Sequence, residues 1–210
     1  MNALGYALLA GLAAYLLGSV SFAVVVSKLF RLSDPRTYGS KNPGATNVLR
    51  SGNRVAALVT LLGDGFKGWL AVWLTLRFGG QFGLGDRALA TVALAVFLGH
   101  LWPLYFKFVG GKGVATFFGV MLGLNPWLGL CTMLTWLVIA YAFRYSSLAA
   151  LLASVFAPLY FGLILGFDEL ALQLQLAAVV VMSALLIYRH RQNISNLLAG
   201  KESKIGAKKK

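Results

Sequence analysis

Long apolar segments alternate along this chain with short connections rich in glycine and charged residues. A helix needs about 20 mostly apolar residues to cross the hydrocarbon core of a bilayer, and most of these segments reach or approach that length. We therefore predict an all-α integral membrane protein with about seven transmembrane helices. The predicted spans are residues 3–27, 55–76, 88–106, 114–124, 127–143, 148–166 and 170–187.

One predicted span is unusually short. The connections around Lys112 and Arg144 are both basic, so the chain between them must leave the cytoplasmic side and return, with Asn125-Pro126 as the natural turn. Only residues 114–124 remain for the outward leg, which is less than a full span needs. Either this helix begins within the preceding glycine-rich loop or the segment is re-entrant, and we favour a short spanning helix.

Composition supports a single membrane domain, residues 1–210, ending in a flexible basic tail at 198–210. The chain is 59% hydrophobic and has a mean hydropathy of +0.76, well above the range of soluble domains. A single cysteine, Cys131, lies in an apolar segment, so no disulfide framework or cysteine metal site can form within one chain. We expect Cys131 to pack in the membrane.

The net charge of +13 is informative first about the orientation of the protein in the membrane, and only then about binding partners. Of the 19 basic residues, 16 fall in four regions: residues 28–54, residues 107–112, Arg144, and residues 189–210. Cytoplasmic connections carry an excess of Lys and Arg, so the N-terminus is predicted outside and the C-terminus in the cytoplasm. This distribution suits anionic lipids and anionic substrates, and we expect no nucleic-acid partner.

Three lysines sit among glycines: Lys41 in Gly39-Ser40-Lys41, Lys67 in Gly65-Phe66-Lys67-Gly68, and Lys112 in Gly111-Lys112-Gly113. Glycines let backbone N–H groups approach an anion closely, and nearby cations add charge. The first of these motifs lies in a polar loop, residues 37–53, that is also compatible with an ordinary connection rich in turn formers. Three such motifs in one short chain favour a convergent anion site on the cytoplasmic face.

Asp64 and Lys67 are three residues apart in a predicted span and therefore share one helical face. Ionisable groups within spans are costly and usually face the protein interior or a water-filled cleft. The sequence leaves two interpretations open. The pair is a neutralised structural contact, or Lys67 helps to bind an anion while Asp64 orients it.

His190 lies between Arg189 and Arg191, where the last span meets the cytoplasm. The two positive charges should lower the pKa of the imidazole. A neutral histidine at this place would be able to accept a proton.

Taken together, these motifs resemble the signature of the bacterial acyl-phosphate:glycerol-3-phosphate acyltransferases over nearly the whole chain. The first-loop run Gly39-Ser40-Lys41-Asn42-Pro43-Gly44-Ala45-Thr46-Asn47 with Arg50 is similar to that family's first motif. The further similar motifs are Gly18-Ser19, Asp64 to Gly68, Gly99-His100, Gly110 to Thr116, Ser147-Leu148-Ala149, and Tyr188 to Arg191 with Asn193. Ser21 and Ala23 stand where many members have Pro and Gly, a departure that concerns helix packing.

The resemblance implies an integral enzyme of the bacterial inner membrane. Such an enzyme transfers a fatty acyl group from acyl phosphate to the 1-position of glycerol 3-phosphate, which gives lysophosphatidate, an early intermediate of phospholipid synthesis. It also implies that Ser40 and His190 are catalytic. The positions that it assigns to substrate binding are Asn42, Thr46, Asn47, Arg50, Lys67, Lys112, Ser147 and Asn193.

The residues suit that chemistry without a metal or another cofactor. Acyl phosphate is already activated, so positioning the glycerol hydroxyl against the carbonyl carbon can supply much of the rate. Lysines and loop amides can stabilise the oxyanion and the departing phosphate. Either neutral His190 or a substrate phosphate oxygen can take the hydroxyl proton. We expect a monomer that meets both substrates and membrane lipids.

The main alternative is a small-anion or organophosphate transporter, which would also use an intramembrane lysine and helices interrupted by glycine. Such transporters usually show repeated halves, and this sequence shows none. A metal-dependent phosphatidyltransferase would need clustered aspartates, whereas the cytoplasmic connections offer only Asp34, with Glu202 in the tail.

Overall fold

The computed structural model describes residues 2–85 and 87–206, and within them the regular structure is entirely helical. Two short 3-10 turns, Gly79–Phe82 and Leu104–Phe106, interrupt the connections. The ten α-helices are α1 (Ala3–Gly18), α2 (Phe22–Leu29), α3 (Ala45–Leu49), α4 (Arg54–Phe78), α5 (Arg87–Leu101), α6 (Val114–Leu124), α7 (Pro126–Phe143), α8 (Ser146–Leu165), α9 (Leu170–Arg189) and α10 (Arg191–Leu198).

Five helical segments are long and apolar enough to cross a membrane: Arg54–Phe82 (α4 with the following 3-10 turn), Ala88–Phe106 (most of α5 through the second 3-10 turn), α7, α8 and α9. The bent pair α1 and α2 makes a sixth candidate when it is counted as one span, and α6 is a shorter apolar helix of 11 residues. The all-helical membrane architecture expected from the sequence is therefore confirmed, with five or six candidate spans.

The first predicted span, residues 3–27, is not one continuous helix. α1 ends at Gly18 and α2 begins at Phe22, and the two axes differ by 40°. The break lies where α1 packs closely on α5, since a Cβ added to Gly18 would overlap the carbonyl oxygen of Val96. Ser19 stabilises the connection, because its hydroxyl donates to Tyr15 O (2.9 Å) and accepts from the Leu104 N–H (3.2 Å).

α5 ends at Leu101, five residues before the predicted end of its span. Pro103 follows, and the proline ring disfavours helical geometry for the residue before it. The chain then leaves the helix at Trp102, whose carbonyl oxygen accepts a 2.7 Å hydrogen bond from the Tyr15 hydroxyl. This contact joins the end of α5 to α1.

Glycines allow α4 and α6 to approach each other unusually closely. A Cβ added to Gly68 would overlap Thr116 O, and one added to Gly119 would overlap Gly65 O. The Thr116 hydroxyl also donates a 2.9 Å hydrogen bond to Asp64 O. Asp64 lies ten residues beyond the start of α4, about 15 Å along the helix. The glycine-rich loop that precedes α6 is consequently recessed relative to the N-terminal end of α4.

The C-terminal segment packs against the corner between α7 and α8. Ile205 donates a 2.6 Å backbone hydrogen bond to Arg144 O, and the Arg144 guanidinium donates back to Ile205 O at 3.0 Å. The Lys204 amine lies 5.6 Å from the centre of the Tyr145 ring. The flexibility predicted for residues 198–210 stays a prediction, and residues 207–210 lie outside the described part of the chain.

Candidate active site

Asn47 organises the first polar loop from within. It is 2% exposed, and its amide nitrogen donates to Pro35 O (2.7 Å) and Tyr38 O (3.2 Å). Its amide oxygen accepts a 3.0 Å hydrogen bond from the backbone N–H of Ser40. The Asn47 side chain is therefore engaged with the loop backbone, where it fixes the position of Ser40.

The other candidates of this loop lie nearer its surface. Ser40 and Arg50 are exposed, and Asn42 is half-buried beside Gly44. The Thr46 hydroxyl lies 3.4 Å from the hydroxyl of Ser146, at the start of α8. The short helix α3 thus brings the first loop next to the N-terminal end of α8.

Arg189 holds the glycine-rich loop from the C-terminal side of the molecule. Its guanidinium donates to Gly110 O at 2.8 Å and to Gly111 O at 3.0 and 3.2 Å. The next residue, Lys112, donates from its amine to the amide oxygen of Asn193. The loop is in this way joined to the end of α9 by Arg189 and to the start of α10 by Asn193.

Asn193 extends this contact to a carboxylate. Its amide nitrogen donates to Glu202 Oε1 at 2.7 Å, and the Ser147 hydroxyl donates to the same oxygen at 2.6 Å. Lys112, Asn193, Glu202 and Ser147 therefore form one hydrogen-bonded chain, which we call the anion cluster. Lys112 lies just before α6 and Ser147 is the second residue of α8, so the cluster joins the N-terminal ends of two helices, where anions are stabilised.

Burial makes the Lys112 amine unusually acidic. Its pKa is lowered to about 8, first because burial disfavours the charged form and further because Arg189 and Arg50 repel it. Glu202 acts in the opposite direction and helps to keep the amine protonated. The effect of Arg50 on Lys112 indicates that these two predicted binding residues lie near the same place.

His190 is buried beside the cluster, with 3% of its surface exposed. Its Nδ1 lies 2.8 Å from Leu186 O. A carbonyl oxygen only accepts, so Nδ1 carries the proton and Nε2 is the acceptor. Burial lowers the pKa of His190 to about 4, and repulsion from Lys112 is the second cause. The neutral imidazole expected from the sequence is borne out, although the flanking arginines are not its main cause.

Lys67 does not join the anion cluster. Its amine lies 2.8 Å from Asp64 Oδ1 and donates a 2.6 Å hydrogen bond to Val20 O, and the side chain is 1% exposed. His100 Nδ1 lies 3.5 Å from the same Asp64 oxygen. This geometry favours the interpretation of Asp64 and Lys67 as a neutralised structural contact over that of Lys67 as an anion ligand.

The geometry brings together Ser147, Asn193, Lys112 and His190, with Arg50, Thr46 and Ser40 at the neighbouring loop. The family model described as glycerol-3-phosphate acyltransferase matches residues 8–200 of this chain. The chain belongs to this family. The membership that the sequence motifs indicated is thereby confirmed, and the chain is an integral membrane acyltransferase of phospholipid synthesis.

Curated relatives and solved structures agree with this assignment. Glycerol-3-phosphate acyltransferase of Janthinobacterium sp. (strain Marseille) is 68% identical over 95% of this chain and 96% of its own length. That of Herminiimonas arsenicoxydans is 65% identical over the full length of both chains. Two crystal structures of PlsY, an integral membrane glycerol 3-phosphate acyltransferase, superpose with TM-scores of 0.86 and 0.84 at 38% identity, covering 96% of each chain. They are described as its glycerol 3-phosphate form and its lysophosphatidic acid form.

Two residues that contact the candidate site, Glu202 and Arg189, were not among the predicted site residues. The sequence placed Glu202 only as an acid in the tail, and Arg189 only as a positive charge beside His190. A weak signal existed for Glu202, since it is the single acid among the described residues after Glu169. Nothing in the sequence indicated that Arg189 would hold the carbonyls of Gly110 and Gly111.

Proposed function

We propose that this acyltransferase moves a fatty acyl group from acyl phosphate to the 1-hydroxyl of glycerol 3-phosphate. The products are lysophosphatidate and inorganic phosphate. The observation that carries the proposal is the anion cluster, in which Lys112 and Ser147, at the starts of α6 and α8, are joined through Asn193 and Glu202. Family membership favours this function over the transporter alternative.

The anion cluster retains hydrogen-bond donors for a substrate phosphate. One N–H of Lys112 binds Asn193, which leaves two others, and Asn193 has a second amide hydrogen. The first backbone N–H groups of α6 and α8 add donors that have no partner within their own helices. We assign this place to the phosphate of glycerol 3-phosphate, with Arg50 contributing charge from the first loop.

His190 is suited to orient the attacking hydroxyl. Its Nε2 is an acceptor, because Nδ1 is held by Leu186 O. A pKa near 4 makes it a weak base at neutral pH, since general bases work best when their pKa lies near the operating pH. His190 therefore positions the hydroxyl through a hydrogen bond, and the proton passes either to Nε2 or to a phosphate oxygen of the substrate.

The transfer step needs little further help from the protein. The 1-hydroxyl oxygen attacks the acyl carbonyl carbon, the bond between that carbon and the phosphate oxygen breaks, and the phosphate leaves with its electron pair. Ser40, held by Asn47 through its backbone N–H, is assigned to the acyl phosphate. Donors that face the developing oxyanion and the leaving phosphate lower the barrier because their dipoles are already oriented.

We further propose seven crossings of the bacterial inner membrane, with the N-terminus outside, the C-terminus in the cytoplasm and the site on the cytoplasmic side. The basic connections support this orientation. α6 is about 16 Å long and would complete its crossing only because the loop before it lies in a recess. In that recess glycerol 3-phosphate meets the acyl phosphate, whose chain enters sideways from the lipid. We expect the enzyme to act as a monomer.

The assay that tests this function compares acyl donors. Purified protein in detergent should form lysophosphatidate from acyl phosphate and glycerol 3-phosphate, and the rate should survive EDTA. Comparable turnover with acyl-CoA, or loss of activity in EDTA, would show that the proposed donor or the proposed metal-free mechanism is wrong.

A further inference from the structure

The imidazole of His100 lies directly against the glycine-rich loop. A Cβ added to Gly111 would overlap His100 Nε2 and would lie 3.0 Å from His100 Cε1 and from Pro43 O. The Gly111 N–H also donates a 3.2 Å hydrogen bond to His100 O. Because His100 is only 7% exposed, its ring and its backbone together form a fixed surface on which Gly111 rests.

The other ring nitrogen of His100, Nδ1, faces a buried acid. Asp64 Oδ1 lies 3.5 Å from His100 Nδ1 and 2.8 Å from the Lys67 amine, which is itself bonded to Val20 O. The backbone carbonyl of Asp64 accepts from Thr116, in the first turn of α6. Asp64 thus lies between the ring of His100 and the helix that follows the glycine-rich loop, and it holds that helix through Thr116.

The glycine-rich loop needs such restraint from outside. It has no regular secondary structure between Trp102 and Val114 other than the 3-10 turn Leu104–Phe106, and glycines lose more conformational freedom on ordering than other residues. His100 supports Gly111 from one side, and Arg189 holds the carbonyls of Gly110 and Gly111 from the other. Lys112 is the next residue along the chain.

We propose that His100 is a positioning residue of the phosphate subsite. Its imidazole fixes Gly111 and thereby places the Lys112 amine where it meets the phosphate of glycerol 3-phosphate. This inference rests on the proposed function, because it concerns the same subsite. Without the ring, Lys112 must be ordered by the substrate itself, and that ordering cost weakens binding.

The test is steady-state kinetics of His100→Ala in glycerol 3-phosphate. Losing an interaction that is equally strong in the ground state and the transition state raises KM and leaves kcat nearly unchanged. We therefore expect KM to rise about tenfold, with kcat within about threefold of the parent. A merely structural role would lower the active fraction, and hence the apparent kcat, without changing KM. Partial unfolding does not obscure the result, because KM is independent of the active fraction. An unchanged KM would overturn the inference.

Thr132→Val is the matched control. Thr132 is fully buried in α7 and donates only within its own helix, to Leu128 O at 2.7 Å. Its replacement removes a buried polar group from a span without touching the glycine-rich loop, so KM should stay at the parent value. Asp64→Asn is not informative here, because it would leave the buried charge of Lys67 without its partner.

A double variant tests the contact itself. Gly111→Ala should raise KM, because its methyl group would meet the imidazole. In Gly111→Ala with His100→Ala the methyl group enters space that the ring has left, so KM should lie below the product of the two single effects. A change in KM equal to that product would mean that the methyl group and the imidazole do not interact, which would overturn the inference. If the parent enzyme itself failed to use glycerol 3-phosphate, the proposed function would fall instead.

Discussion

The ammonium group of Lys67 donates a 2.6 Å hydrogen bond to the carbonyl oxygen of Val20, in the break between α1 and α2. Backbone groups without a partner are costly inside a membrane. Lys67 satisfies one such group, and Asp64 at 2.8 Å balances the charge. A residue that looked like a substrate ligand in the sequence therefore has a clear role in the architecture of the first span.

Lys67→Met should destabilise the protein. It leaves the buried carboxylate of Asp64 without its cation, and breaking a buried ion pair in this way costs about 3–5 kcal/mol. The measurement is a thermal melt in detergent, with Lys41→Met, at an exposed loop position, as the control. A variant as stable as the parent whose KM for glycerol 3-phosphate is raised would instead make Lys67 a direct ligand.

Substrate binding should weaken in alkaline solution. Lys112 has a pKa of about 8, so it is charged below that pH and loses its charge as the pH rises through it. Bound phosphate favours the charged amine and raises its pKa in the complex. KM for glycerol 3-phosphate should therefore be constant near pH 7 and increase above about pH 8, whereas kcat should change less.

The control for this pH profile is Lys112→Arg. A guanidinium stays charged throughout this pH range, so KM in the variant should be higher than in the parent at pH 7 but should not increase further in alkali. If the parent and the arginine variant showed the same alkaline rise, the titrating group would not be Lys112.

Glu202→Gln should shift the pH dependence of KM for glycerol 3-phosphate. Glu202 helps to keep Lys112 protonated, so removing its charge should lower the pH at which KM begins to increase. The amide oxygen can still accept from Ser147 and Asn193, so folding should be preserved. Glu202→Ala removes the acceptor of both donors and should also lower the melting temperature. An unshifted profile in Glu202→Gln would mean that Glu202 does not interact electrostatically with Lys112.

Helix positions were largely predictable because the apolar segments are long and the breaks are chemically marked. The segment 127–143 agrees with α7 to within one residue, and Asn125-Pro126 is the turn before it. The first span was predicted as continuous because the apolar segment 3–27 has the length of one span. Its break depends on contacts with α4 and α5, which no local pattern reveals.

The candidate site could be proposed from the sequence where charge and glycine coincide, as at Lys112, and where a titratable group follows a span, as at His190. It was not predictable where the partner is remote in sequence. Glu202 meets Ser147 across 55 positions, and Arg189 meets Gly111 across 78. Asn47 was predicted to bind substrate, but its side chain is buried and binds backbone groups of the first loop. No local pattern in the sequence distinguishes these two roles.

Topology can be tested with single cysteines in a Cys131→Ser background. Ser33 and Gln81 are both exposed. Ser33 lies in the polar segment before α3 and α4, and Gln81 lies in the 3-10 turn after α4. Gly52 is less suitable as a site, because its φ of 89° strains any other residue. We expect a membrane-impermeant thiol reagent to label Ser33→Cys only from the cytoplasm and Gln81→Cys only from outside. Labelling of both from one side would contradict the proposed seven crossings.

We propose that this site separates phosphate binding from the chemical step. We propose that Lys112 binds phosphate equally in the ground state and the transition state, so Lys112→Ala should mainly raise KM. Ser40 and His190 add little charge to binding, so their contribution should be realised in the transition state. Ser40→Ala and His190→Ala should each lower kcat about a hundredfold or more.

The most direct measurement is therefore kcat and KM for glycerol 3-phosphate in His190→Ala and Lys112→Ala, with acyl phosphate saturating and folding checked by thermal melts. We predict a large loss of kcat in the first variant and a large rise of KM in the second. A well-folded His190→Ala enzyme with near-normal kcat would contradict it, and would leave a substrate phosphate oxygen as the group that receives the proton.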